Sequence, residues 1–326
     1  MRTLVLGAGA TGGYFGGRLL EAGREVTFLV RGARAAQLRE RGLSIRSPHG
    51  DLQLKPKVVF AGRLRERYDL VLLCCKAYDL DSAMEAVAPA VGEDSIVLPL
   101  LNGLRHFDAL DARFGAERVL GGLCSTALAL DEDGRVHHLN AMHLLRFGER
   151  NGRLTPRVKA LEALMRGVKI DAKASRNIVP ALWEKWVLLA AMAGVNCLMR
   201  AGVAEIVAAP GGRALCRAML EECSAIATAH GHPPRPQVLQ DVQAYLDRPQ
   251  GDFTVSMLRD LEAGHQVEAD HILGDLIARG EQAGVSMPLL RAAYCHLKIY
   301  EARRQRAQRT SQSAFASPRR RRLRVC

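Results

Sequence analysis

The chain has 326 residues, 48% of them hydrophobic and 25% charged, which reads as a soluble globular protein long enough for two domains of ordinary size. No window approaches about 18 uninterrupted apolar residues, and the N-terminal "MRTLVLGAGATGG" runs straight into glycines with no small-residue cleavage site, so a membrane span and a secretory leader are not indicated and a cytoplasmic location is expected. Of the formal net charge of +12, nine positive charges are arginines in residues 303–326, which hold no acid; the remaining body carries only +3 and gives no broad basic surface for nucleic acid.

From residue 2 onward, short β-branched and leucine-rich runs alternate with helical patterns. The runs "TLVLGAG", "EVTFLVR", "DLVLLCC", "SIVLPLLNG" and "RVLGGLCST" predict the strands of a parallel sheet with crossover helices. Between the second and third of these, the Pro-His-Gly-Asp turn in "LSIRSPHGDLQLKPKVV" predicts an inserted hairpin. "TALALDEDGRVHHL" and "HLLRFGER" predict antiparallel strands. Strand signals vanish near residue 170 and helical patterns continue to about residue 302. The predicted organisation is therefore α/β, an N-terminal Rossmann-type domain over residues 1–172 and an all-helical domain over 173–302. Residues 303–326 have the composition of a disordered basic tail.

The first strand runs into Gly7, Gly9 and Gly12, a GxGxxG that opens a helix. In a dinucleotide site, Gly7 permits the tight turn, Gly9 lets the backbone approach a pyrophosphate and Gly12 allows close helix–strand packing. The loop Gly7, Ala8, Gly9, Ala10, Thr11 and Gly12 would then hold the diphosphate at the helix N-terminus, where free N–H groups and the helix dipole favour anions. The second strand ends "FLVRGAR" with Arg31 and Arg34 and no acid, which favours a 2′-phosphate and hence NADP; a solvent-facing arginine would read the same way. Lys76 ends the "DLVLLCCK" strand, where open α/β sheets bind ligands.

Cysteines stand at 74, 75, 124, 197, 216, 223, 295 and 326 without CxxC or zinc spacing, so neither a disulfide frame nor a metal site is suggested. Lys185 is unusual, an ammonium in the apolar stretch "ALWEKWVLLAAMAGVNCLMR" between two tryptophans. Helical geometry puts Lys185, Leu189, Met192 and Asn196 within about 60° of one another on one stripe. That stripe is either a functional face or core packing, with the lysine snorkelling to water.

Taken together, "GAGATGGYFGGRL", "CCKAY", "LLNGL", "WEKWVLLAA" and "SMLRDLEAGHQVEAD" resemble the ketopantoate reductases (2-dehydropantoate 2-reductases) of the 6-phosphogluconate-dehydrogenase-like superfamily, over about residues 1–300. The resemblance implies a Rossmann domain joined to a helical domain, NADPH as cofactor, and reduction of a small 2-oxo acid in pantothenate and coenzyme A synthesis. It also implies Lys185 as the catalytic lysine, Glu268 as its glutamate partner, Lys76 near the cofactor, Asn102 near nicotinamide and substrate, and Ser256 on the substrate. Members acting on ketopantoate have asparagines four, eight and eighteen residues after the lysine, where this chain has Leu189, Ala193 and Val203, so Asn196 is the nearest remaining amide for the substrate.

By themselves Asn102, Ser256 and Glu268 are also ordinary helix-terminus residues. A related NADPH reductase of another 2-oxo acid or ketone remains open, as does a non-catalytic dinucleotide sensor with a basic interaction tail. The sequence points to no membrane partner, disfavours nucleic acid, and leaves the oligomeric state open, a homodimer included.

Overall fold

A computed structural model of the chain describes residues 1–249 and 253–316. It divides into two compact units, Met1–Trp186 and Val187–Cys326. The division falls inside a helix, fourteen residues beyond the boundary expected at 172/173.

The first unit opens β1 (Thr3–Leu6), α1 (Ala10–Glu21), β2 (Val26–Leu29), α2 (Gly32–Arg41), the hairpin β3 (Leu43–Arg46) and β4 (Leu52–Leu54), then β5 (Lys57–Val59), β6 (Tyr68–Leu73), α3 (Leu80–Val87), β7 (Val91–Pro99) and α4 (His106–Phe114). Strands β5–β2–β1–β6–β7 form one parallel sheet, the 3-2-1-4-5 order of a doubly wound nucleotide-binding fold. The reason is composition: "TLVL", "VTFL" and most of "YDLVLL" are buried on both faces, which only a helix-covered parallel sheet allows.

A second sheet contains β3, β4, β8 (Gly121–Leu130), β9 (Val136–Gly148) and, after α5 (Pro156–Met165), β10 (Asp171–Ala174), in the order β10–β9–β3–β4 with β8 on β9. The expected hairpin is β3–β4, and the expected antiparallel pair is β8–β9. "RVLGGLCST" is not a strand of the parallel sheet, contrary to its apolar run. Only Val119 bridges Val97, and from Gly121 the chain pairs with β9. The glycine pair explains the departure, because a Cβ on Gly122 would lie 2.3 Å from the Pro99 carbonyl and one on Gly121 2.8 Å from Ile178. Nor do strands end at residue 170: β10 reads "DAKA", an edge strand with no apolar run to announce it.

Helix α1 lies between the two sheets on a stripe of small residues. A Cβ on Gly16 would strike the Phe28 ring at 2.6 Å on the parallel sheet, and one on Gly17 would strike Ile45 at 2.5 Å on the other. From the same helix, Tyr14 and the fully buried Arg18 reach a cluster of imidazoles from the β3–β4 turn and β9. His49 stacks on His143 with centroids 3.7 Å apart and planes 5° apart, and His138 lies 5.5 Å from His49.

Helix α6 (Ile178–Met199) crosses the division. By length and hydropathy it could span a membrane, but two thirds of its most apolar window is buried inside the protein, as in a core helix. The second unit continues with α7 (Val203–Ala208), α8 (Gly212–Ala229), α9 (Pro236–Asp247), α10 (Ser256–Glu262), a π-helical turn Asp270–Gly274 running into α11 (Asp275–Gln282), and α12 (Pro288–Ala316). The Glu222 carboxylate of α8 caps α12 by accepting from the Leu289 and Leu290 amides at 3.0 and 2.9 Å. Leu290, Ala293 and Leu297 bury its apolar stripe.

The tail expected to be disordered from residue 303 instead continues α12 to Ala316, and residues 317–326 lie outside the described residues. Two features account for this. Arg304 Nε donates to the Gly264 carbonyl at 2.9 Å, and the Arg, Gln and Ala of "RRQRAQR" propagate an already nucleated helix at little cost.

The imidazole cluster makes a pH prediction. Burial first, then the neighbouring imidazoles and the Arg18 guanidinium, hold His138 and His143 below the ordinary value of 6.5; Asp171 opposes this at His143 and the Met142 carbonyl at His138. The native state therefore binds fewer protons than the unfolded chain just below pH 6.5. Stability is retained above that value and lost as pH falls through it toward the depressed values. His143→Gln should shrink the drop in melting temperature between pH 7.5 and 5.5 by about 2 °C, read by thermal denaturation at both pH values.

Candidate active site

Residues expected to meet the cofactor all follow the C-terminal ends of parallel strands, the edge at which open α/β sheets bind ligands. Gly7 follows β1, Arg31 follows β2, Lys76 follows β6 and Asn102 follows β7. Gly7 has φ +88° and donates to the Leu29 carbonyl at 3.0 Å, fixing the turn onto α1. A Cβ on Gly12 would lie 2.0 Å from the Gly7 carbonyl oxygen and 3.1 Å from Cys74 Cβ, so helix and strand ends touch there. A Cβ on Gly9 would meet nothing within 4 Å.

No side chain caps α1, its first turn holds no acid, and its first helical hydrogen bond runs from Gly13 N to Gly9 O at 2.8 Å. The Ala10, Thr11 and Gly12 amides thus stand ahead of the helical ladder, beside the open face of Gly9. A dinucleotide diphosphate fits this cradle in shape and in charge.

The two arginines after β2 divide their roles. Arg34 is half-buried: its Nε donates to the Ala8 carbonyl at 2.8 Å and its Nη1 to the Gly134 carbonyl at 2.8 Å and to Gln37, so it braces the glycine loop. Burial lowers its pKa, with Asp131 opposing. Arg31 is exposed at the N-cap of α2 and donates through Nη2 to Ser82 Oγ at 2.9 Å. Neither the Arg34 brace nor Ser82 was identified from the sequence. A signal existed for Arg34, since three residues after Arg31 is one turn into a helix packed against the loop. Lys76 is half-buried, and its carbonyl starts a 3-10 turn by accepting from Asp79 N at 3.0 Å.

Asn102 is no helix cap, because α4 begins four residues later at His106 with Arg105 before it. Its Oδ1 accepts from Lys185 Nζ at 2.9 Å. Lys185 is half-buried on α6 between Trp183 and Trp186, which are 4% and 1% exposed with ring centroids 5.1 Å apart. The ammonium therefore holds an amide oxygen at the sheet's ligand edge instead of only snorkelling outward. An ammonium that donates one of its three protons to a fixed partner is aimed, and it has further protons for a ligand oxygen.

In the second unit, Ser256 is half-buried and is the first helical residue of α10; Val255 is the N-cap residue, and α10 has no side-chain cap. Glu268 is 8% exposed, stands two residues before the π-helical turn, and its carbonyl accepts from Ile272 N at 3.0 Å. Asn196 departs from its expected role. It is fully buried with its amide engaged by backbone, Nδ2 donating to Ala201 O at 2.9 Å and Oδ1 accepting from Val255 N at 3.2 Å. A buried amide satisfied on both atoms is not a substrate contact.

Two family models described as "Ketopantoate reductase PanE/ApbA" and its C-terminal part match residues 3–152 and 177–301. The chain belongs to the ketopantoate reductase family. It is an NAD(P)-dependent oxidoreductase with that family's Rossmann sheet and helical second unit. It is 39% identical over 302 residues to an uncharacterized oxidoreductase, YkpB, of Bacillus subtilis (strain 168), covering 93% of this chain and 99% of that protein. The solved 2-dehydropantoate 2-reductase of Geobacter metallireducens GS-15 is 32% identical, with a TM-score of 0.84 over 91% of this chain and 99% of its own. D-mandelate dehydrogenase, solved with NADH and anilino(oxo)acetate, shares the fold at a TM-score of 0.85 and 22% identity, over 94% of this chain and all of its own.

The glycine geometry separates folding from cofactor binding. Gly9→Ala should leave the melting temperature within about 1 °C of the parent, because space is open there, yet weaken dinucleotide binding at least about tenfold by filling the diphosphate cradle. Gly12→Ala should lower the melting temperature itself by several degrees, since its methyl group meets a carbonyl oxygen. Thermal denaturation and cofactor fluorescence titration measure the two effects.

Proposed function

We propose that the chain reduces a small 2-oxo acid with NADPH, taking 2-dehydropantoate to pantoate in pantothenate and coenzyme A biosynthesis. The observation that carries this reading is the Lys185 Nζ to Asn102 Oδ1 hydrogen bond, which holds a cation at the edge of the sheet where the glycine cradle lies. NADPH, when bound, supplies a hydride to the ketone carbon. The Ala10–Gly12 amides hold its diphosphate, and Arg31, exposed after β2 with no acid in "FLVRGAR", takes its 2′-phosphate with Lys76 adding positive charge. Asn102 aims the Lys185 ammonium at the carbonyl oxygen. As that oxygen gains negative charge, Lys185 stabilises it and transfers a proton to it, leaving a neutral amine that solvent reprotonates. By the family resemblance, Ser256 is assigned to the substrate and Glu268 to catalysis.

A second substrate reading rests on the helix after the lysine. Leu189, Ala193 and Val203 stand where three asparagines would be; Ala193 and Val203 are fully buried, and the Asn196 amide is held by backbone. The polar partners of a hydroxylated substrate are thus not replaced from nearby, which favours a less polar 2-oxo acid. NADPH oxidation followed with 2-dehydropantoate and a panel of aliphatic and aromatic 2-oxo acids decides between them. Turnover of 2-dehydropantoate supports the first reading, turnover only of others the second, and binding of NADPH with no turnover of any would mark a dinucleotide sensor.

Two substitutions test the residue roles. Lys185→Ala should lower kcat about a hundredfold or more while NADPH affinity stays near the parent value, because the dinucleotide is held by other residues. Lys185→Arg should rescue little, since guanidinium does not readily release a proton. Arg31→Asp should weaken NADPH binding by about 1.5–3 kcal/mol more than NADH binding, the value of a charge-assisted contact. Equal losses for both cofactors would remove Arg31 from the 2′-phosphate site.

A further inference from the structure

Asn196 occupies an unusual place for an amide. It is 0% exposed in the apolar run "AMAGVNCLM", where leucine would pack without polar atoms to satisfy. Its Oδ1 faces an N–H and its Nδ2 faces a carbonyl, so the amide orientation is unambiguous; a flip would set donor against donor and acceptor against acceptor. Around it the backbone is strained. Ala201 N returns to Asn196 O at 3.2 Å, closing a reversal through Arg200, whose φ of +57° is the only positive value at a non-glycine among the described residues. Left-handed backbone at an arginine persists only where surrounding bonds over-determine it. The Asn196 Nδ2 bond to Ala201 O is one of those bonds, and just beyond it Val203 N, at the start of α7, donates to Phe253 O at 3.0 Å and ties this turn to the approach to α10.

The other half of the amide reaches forward. Val255, 4% exposed, is the N-cap residue of α10, and the Asn196 bond to its N–H holds the Thr254–Val255 peptide, which leads the chain into the helix one residue before Ser256. Holding the N-cap residue fixes how the chain enters the helix, and the side chain on the first helical residue takes its direction from that entry.

We propose that Asn196 is a positioning residue for Ser256: one buried amide latches the strained end of α6 to the entry of α10 and so sets where the serine hydroxyl is presented. The inference rests on the reading of Ser256 as a substrate contact. It gives a function to the one asparagine left on this helix, through structure instead of through the substrate.

The test is a kinetic cycle at saturating NADPH, with the best 2-oxo acid as variable substrate. Ser256→Ala and Asn196→Ala should each raise KM about tenfold, the effect of one well-placed neutral hydrogen bond, with a smaller change in kcat and no change in NADPH affinity. In the Ser256→Ala background, Asn196→Ala should add less than about twofold, because its effect runs through the missing hydroxyl. Arg200→Gly, which relieves the left-handed strain, should leave KM unchanged alone and restore melting temperature but not KM in Asn196→Ala; it also keeps that variant folded for measurement. Asn196→Asp keeps an acceptor for Val255 N and opposes the Ala201 carbonyl, so it should lose melting temperature with KM within about threefold of the parent.

An Asn196→Ala effect on KM that is as large without the Ser256 hydroxyl as with it would overturn the proposal. So would a fall in melting temperature with KM unchanged, or a KM recovered by Arg200→Gly. If Ser256→Ala itself leaves KM unchanged, the substrate role of Ser256 fails and the proposal with it. If Ser256→Ala raises KM and Asn196→Ala does not, only the positioning role fails.

Discussion

The constraint on which the first unit's proposed chemistry depends is the placement of one ammonium. Lys185 is half-buried on an apolar helix, flanked in sequence by two buried tryptophans, and its ammonium donates to the Asn102 amide oxygen at 2.9 Å. That bond requires the loop after β7 to present an oxygen to α6, and the loop is where it is because β7 is the last full strand of a parallel sheet whose C-terminal ends share one edge. The same edge carries Gly7, Arg31 and Lys76. A positive charge near the glycine cradle is thus a consequence of strand order, not of any single motif.

Close packing of α1 supports that edge. Its glycines face both sheets at distances that exclude a side chain, and Gly12 touches the carbonyl of Gly7. The turn that leaves the α1 N-terminus without a side-chain cap is the turn that brings helix and strand into contact, so stability and the proposed cofactor cradle share residues. Arg34 adds a second restraint by holding the Ala8 carbonyl from the opposite side of the loop.

Much of this was legible in the sequence because the signals are local. Buried strands appear as apolar runs, the glycine loop as fixed spacing, and the helical second unit as 3.6-residue periodicity. What was not legible is set by long-range contact. "RVLGGLCST" has the run of a parallel strand, but Gly121 and Gly122 press on Ile178 and Pro99 and lead it into the other sheet. Residues 303–316 have a disordered composition yet continue a helix anchored upstream by Leu297 and Tyr300 and at its own start by Arg304. Asn196 shares a helical stripe with Lys185 by arithmetic, but its partners are Ala201 and Val255, the latter 59 residues away in sequence, and no local pattern shows them. The lysine's own partner, 83 residues distant, was visible only as one of several family positions.

The central claim is that Lys185 and Asn102 act as one unit on the reacting carbonyl. The most direct measurement is a double-mutant cycle on kcat/KM with Lys185→Ala, Asn102→Ala and both together. If the amide works by aiming the ammonium, Asn102→Ala should cost about tenfold or more in the parent and almost nothing once the lysine is gone, a coupling of about 1.4 kcal/mol or more. Independent, additive losses would contradict the account and leave the 2.9 Å bond as packing of a core lysine.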